Sequence, residues 1–115
     1  MDIDSAVTYC LSKRGAWDDL PFGEDALVFK VGPKIFAIIS MKKKPLGINL
    51  KCDPDLALEL RDMFEDVRPG YHMNKLHWNT VVLAGSIPDK EIENMIDHSY
   101  DLVFSGLDKK EKKAI

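Results

Sequence analysis

"ALVFKVGPKIFAIISM", residues 26–41, decides the fold. Two runs rich in β-branched and aromatic side chains, 26–31 and 34–41, flank Gly32 and Pro33. A two-residue connection that begins with glycine suits a tight hairpin. A lysine turn at 42–44, closed by Pro45, leads into "LGINLK" at 46–51. There Leu46, Ile48 and Leu50 point one way and Gly47, Asn49 and Lys51 the other, the period of a strand with one buried and one wet face. The wet face carries Asn49 and Lys51. Consecutive strands joined by short turns pair antiparallel.

On either side of these three strands the pattern turns helical. Ile3, Ala6, Val7, Cys10 and Leu11 recur at helical spacing, with Asp2 or Asp4 as cap and Gly15 suited to a left-handed helix end. Residues 16–25 read as a loop punctuated by Pro21 and Gly23. "DPDLALELRDMF" predicts a helix with Asp53 as cap, Pro54 in its first turn and a stripe of Leu56, Leu60, Met63 and Phe64. Pro69 and Gly70 break the chain before a fourth strand at 78–85. Residues 87–107 form the longest helix, its inner face marked by Ile92, Ile96, Ser99, Val103 and Leu107. The expected fold class is α+β: a two-layer sandwich, antiparallel sheet with helices on one face, in the order α-β-β-β-α-β-α. Residues 1–107 make one domain, and the charged tail 108–115 is expected to fray.

With 115 residues, 45% of them hydrophobic, the chain carries an ordinary single core. No apolar run approaches the ~18 residues of a membrane helix, and "MDIDSAV" is unlike a secretory signal, so a cytoplasmic protein is expected. Cys10 and Cys52 sit in no CxxC spacing and read as reduced thiols, although sequence alone leaves a disulfide between them open. The formal net charge of −3 argues against a strongly basic, non-specific nucleic-acid binder. The distribution is polarised, however. Residues 26–52 are +6, from six lysines and no acid, and residues 53–66 are −5.

Chemistry-bearing patterns are sparse. His72, His77 and His98 lack the paired spacing of a zinc site, and no metal or other cofactor is expected. "DHSYD" sets His98 and Asp101 at i, i+3, yet Ser99 falls on the buried stripe and nothing marks it as a nucleophile. No glycine-rich phosphate loop occurs. The acids around Arg61 read as a solvated helix face. Catalysis is not expected.

Binding has more support. If Lys30, Lys34, Asn49 and Lys51 face solvent, alternation takes Val28, Phe36, Ile38 and Ser40 to the same face. An aromatic ringed by lysines suits nucleic acid, since lysines neutralise phosphates and rings stack on bases. Lys42, Lys43 and Lys44 could extend that surface as a phosphate-contacting wing, or merely blunt a sheet edge. "GYHMNKLHWNTVVL", residues 70–83, adds Asn74, Lys75, His77 and Trp78. Those four could instead edge a pocket for a small ligand or a protein partner, with Trp78 as its floor.

"LPFGEDALVFKVGPKIFAII", "LKCDPDLALELRDMF", "VRPGYHMNKLHWNTVVLAGSIPD" and "MIDHSYDLV" together resemble the MmcQ/YjbR family of small bacterial proteins, from about residue 3 to residue 107. The resemblance implies a fold similar to bacterial frataxin and a "double-wing" DNA-binding role, the wings being strand hairpins. It points to Lys30 and Lys34 and to Asn74, Lys75, His77, Trp78 and Asn79. Pro33 stands where the family often has a second glycine, and Ala84 where it often has an acid. Frataxin's iron-associated acids crowd its first helix, which here offers only Asp2 and Asp4, so iron binding is not carried over. The expectation is a monomeric, non-enzymatic DNA-binding module using Lys30, Lys34, residues 42–44, Lys51, Asn74, Lys75, His77 and Trp78, with no membrane partner.

Overall fold

A computed structural model describes residues 1–115. The hairpin forms as read. Strands β2 (Ala26–Val31) and β3 (Lys34–Ser40) pair antiparallel from Val31↔Lys34 to Ala26↔Ser40, and Gly32 takes a φ of 57°, a region that favours glycine. They are preceded by β1 (Ala16–Asp19) and followed by β4 (Gly47–Lys51). The start of the expected 16–25 loop is therefore a strand. Cross-strand contacts hold it extended: the Trp17 indole N–H donates to Gly32 O at 3.0 Å, and Asp19 pairs with Lys30 at 3.1 Å. A second short strand, β5 (Val67–Pro69), pairs with β6 (Trp78–Val82). The six strands run β1-β2-β3-β4-β6-β5, with every pairing antiparallel.

The helices pack on one face of this sheet, so the α+β two-layer arrangement holds, extended by β1, β5 and one further helix. Helix α1 (Ile3–Leu11) is capped by Asp2, whose carboxylate accepts the Ser5 N–H at 2.8 Å. Helix α2 (Pro54–Met63) is capped by Asp53 through the Leu56 N–H. Helix α3 (Asp89–Ser105) lays Ile92, Met95, Ile96, Tyr100 and Val103 over Phe29, Phe36, Ile39, Ile48 and Leu50. Phe36 meets Tyr100 edge-on at 5.4 Å, and each large side chain so buried contributes about 1.5–3 kcal/mol. Residues 109–113, within the stretch expected to fray, form α4 (Lys109–Lys113), opened by a reciprocal capping box between Asp108 and Glu111. Beyond it Ile115 lies against Gly15 and the flank of the core.

One strand position corrects the face assignment. Phe29 faces Ala37 while Lys30 faces Ile35, which leaves Phe36 as the extra residue of a β-bulge. Plain alternation puts Phe36 beside Val28 and Ile38 on the lysine face. The bulge turns it into the helix-covered core, fully buried.

The turn after β6 is tied to the one before β5. Asp66 accepts from the Ser86 backbone N–H at 2.8 Å and from its hydroxyl at 2.9 Å. These bonds, the backbone one foremost, hold the Asp66 carboxyl below its ordinary value. A carboxylate depressed on folding adds stability above its unfolded value, about pH 4, and loses it as pH falls through the lower folded value. Asp66→Asn should therefore flatten the acid limb of the stability–pH curve, read as urea midpoints from about pH 5 down to about pH 2. An unchanged limb would mean that these bonds do not favour the charged form.

Candidate nucleic-acid interface

The face of the sheet away from the helices carries, in one cross-strand row, Ile38, Asn49, Thr80 and Arg68. Asn49 is not wet. It is buried because residues 70–77 strap across this face. The Tyr71 N–H donates to Thr80 Oγ1 at 2.8 Å, Asn49 Nδ2 donates to Tyr71 O at 3.1 Å, and the Thr80 hydroxyl donates to Asn49 Oδ1 at 2.5 Å. Gly70 lets the strap pass, since a Cβ there would stand 2.9 Å from both the Cβ and the carbonyl oxygen of Trp78. His72 follows with a φ of 56°, a left-handed conformation costing a non-glycine residue about 1–2 kcal/mol. Its ring lies 4.1 Å from that of Tyr71, centroid to centroid. Both side chains are exposed.

The basic side chains reach this face unevenly. Lys43 extends from the β3–β4 turn over the Tyr71 ring, 4.6 Å from its centroid, a cation–π contact. Lys30 sits 4.9 Å from the Trp17 centroid while paired with Asp19 at 3.1 Å, so its charge already has a partner. Lys42 pairs with Asp25 at 3.4 Å, both side chains largely exposed, an interaction worth about 0–1 kcal/mol. Lys44 and Lys51 make no ion pair. Lys51 shares its rung with Trp78 at the other end of β4, and both are half-buried. Lys34 is the clear departure. It sits across from Val31 on the helix-covered face, and its ammonium donates to Gly106 O at the C-terminal end of α3.

The polar residues of the strap mostly hold the strap. Asn74 Oδ1 accepts the Leu76 and His77 N–H groups, and the Lys75 ammonium donates to Gly70 O at 2.8 Å. His77 presents its carbonyl to the Cys52 N–H. The strongest anchor is Arg61 of α2, which sequence reading leaves among solvated acids. Its guanidinium donates to Asn79 Oδ1 at 2.7 Å, to Trp78 O at 3.3 Å and to Lys75 O. Sequence reading also passes over Tyr71 and Arg68 as members of this face. A strongly aromatic, glycine-flanked run hints at the first, but β5 is too short to announce the second.

The acids of α2 are exposed on the opposite, helix-bearing side. His98 turns its Nε2 to the Asp53 N–H at 3.2 Å and is separate from the strap histidines. Ser99 is fully buried, donating to Phe36 O. Cys10 and Cys52 are free and buried, and burial pushes their thiols up to about 12 and about 11, so neither is a thiolate near neutrality. Trp78, His77, Asn74 and Lys75 do not wall the one apolar cleft of note, which opens between α2 and α3.

Fold and surface define a small α+β domain: an antiparallel six-stranded open sheet, helices on one face, a strapped and lysine-bearing face on the other. The YjbR family model matches residues 11–102. The chain belongs to the YjbR family. It is 36% identical over 115 residues to the Escherichia coli (strain K12) protein YjbR, covering 100% of this chain and 98% of that one. It is 39% identical over 95 residues to YbdF of Escherichia coli O157:H7, covering 83% of this chain and 78% of the other. Among solved structures, Deinococcus radiodurans DR2400, a DUF419 domain, superposes with a TM-score of 0.88 at 35% identity, over 97% of this chain and 86% of that one. A Pseudomonas syringae protein superposes with a TM-score of 0.77 at 30% identity, over 90% and 99%. No helix is long and apolar enough to cross a membrane.

Proposed function

We propose that the protein binds DNA through the strapped face of its sheet. The observation that carries this reading is the junction of the lysine turn with the exposed Tyr71 ring, Lys43 lying 4.6 Å from its centroid. That junction sets phosphate-neutralising groups beside an aromatic surface on which a base can stack. Lys42, Lys43 and Lys44 contact phosphates, Tyr71 with His72 supplies the stacking surface, and Lys30 with Arg68 extends the basic margin. Lys34 and Lys75, held by Gly106 O and Gly70 O, have smaller parts. Binding needs no catalytic group.

Fluorescence anisotropy of labelled DNA tests this at about 50 mM and about 200 mM salt, comparing duplex with single strand. Micromolar binding that weakens steeply with salt is expected. Changing Lys42, Lys43 and Lys44 together to Ala should reduce the slope of log K against log salt by roughly 2–3, at ~0.9 per phosphate contact. The same change at Lys109, Lys110 and Lys113 of α4 removes equal charge elsewhere and should leave the slope nearly intact. Absence of binding at low salt, or equal losses in both triple variants, would overturn the proposal.

A further inference from the structure

The apolar cleft between α2 and α3 lies on the far side of the sheet from the strap. It holds about 190 Å³ and is floored by Leu50 and Val81. Of the ten residues of α2 only Ala57 is buried, and Leu56 and Leu60 stand half-exposed along one wall of the cleft. Helix α2 therefore does not close on α3 by its own side chains. The opposite wall is α3, which brings Glu91, Asn94, Met95 and His98 to the cleft at spacings of three and four, one helical face.

The polar group at the floor is already fixed. Asn79 at the floor is satisfied by Arg61 and by Ala57 O, and no buried side-chain polar atom lacks a partner. The depth of the cleft thus asks for nothing polar. At its wall, His98 Nε2 accepts the Asp53 N–H, which places the ring proton on Nδ1 as a donor. Glu91 adds an acceptor and Asn94 both kinds of group. A cavity of about 150 Å³ walled by Leu, Ile and Phe takes up benzene, so the space here suits one ring with a short polar substituent.

We infer that the α2–α3 cleft is a binding site for a small monocyclic aromatic compound with one hydrogen-bonding substituent. The ring sits on Leu50, Leu56, Leu60 and Val81, and the substituent meets His98, Asn94 or Glu91. This site is separate from the proposed DNA surface and does not depend on it.

Phenol is the probe, titrated into methyl-labelled protein and followed by NMR, with toluene as the ring lacking a hydroxyl. Saturable shifts confined to the methyls of Leu50, Leu56, Leu60, Val81 and Met95 are expected, with toluene several-fold weaker. Leu60→Trp, which fills the space from α2, should weaken phenol at least about tenfold. Should that variant not fold, Leu56→Phe carries the same expectation. Glu91→Ala, Asn94→Ala and His98→Ala combined should erase the preference for phenol over toluene while sparing toluene, and a preference that persists in the folded triple variant would overturn the polar half of the inference. Shifts that never saturate, that map elsewhere, or that survive in a folded cleft-filled variant would overturn the inference.

Discussion

Ser99→Ala should cost about 2–4 kcal/mol of stability, although it removes a single oxygen. Ser99 is fully buried in the middle of α3. Its hydroxyl donates to Phe36 O at 2.5 Å and accepts the Lys51 N–H at 2.8 Å. One atom thus joins α3 to β3 at the bulge and to the end of β4. Both partners are backbone groups that the ladders leave over, and stranding each away from water costs about 1–3 kcal/mol. Urea unfolding would show a lower midpoint at unchanged slope. Ser105→Ala is the control, because Ser105 is exposed and merely bonds back to Asp101 O. It should stay within about 0.5 kcal/mol of the parent. If Ser99→Ala does the same, water or a small shift of α3 satisfies both groups and the bridge is dispensable.

Arg61→Ala should be comparably severe, about 2–4 kcal/mol, and more local in its consequences. The guanidinium gathers the Asn79 side chain and two carbonyls of the segment leading into β6. Its loss leaves Asn79 Oδ1, in a side chain only 2% exposed, without its charged donor. It also frees the second half of the strap. Amide exchange at 71–78 should accelerate well beyond the global change. Lys in this position keeps the charge and lacks the planar fork, so Arg61→Lys should recover only a minor part of the loss. A full recovery would show that charge near α2 matters and the fork does not. On the proposed DNA-binding reading, the folded fraction of Arg61→Ala should also bind DNA more weakly than the parent, because the strap carries Tyr71.

What the sequence discloses follows from how local each signal is. The β2–β3 hairpin, β4, β6 and α1 to α3 announce themselves through period and turn residues. Strand β1 does not, because "AWDD" has no alternation of its own and is held extended by Lys30 and Gly32. Strand β5 is three residues ending in proline, below what any pattern can register. The capping box that starts α4 was present as Asp108 and Glu111, outweighed by the surrounding lysines. Face assignment fails at Phe36 because a bulge shifts the alternation by one, and at Asn49 because the strap residue that covers it, Tyr71, lies 22 residues further along. Arg61 shows the same limit. Beside acids at helical spacing it reads as a surface residue, and only the fold brings Asn79 to it. Among the candidate binding residues, chain position grouped Lys34 and Lys75 with the others. Three-dimensional structure separates them, since each has a carbonyl to hold.

The two outermost strands have a consequence for life at high concentration. An uncapped strand is a template on which a neighbouring chain can crystallise into a fibril. Here one border is four residues long with two aspartates, and the other is three residues long and stops at Pro69. Neither offers a run of hydrogen-bonding groups long enough to seed growth, and one repels its own copy. The apolar interior stretches 35–40 and 78–82 have the composition of a seed if released. They are held between those guards, so misassembly requires unfolding first, and the barrier to aggregation becomes the barrier to unfolding.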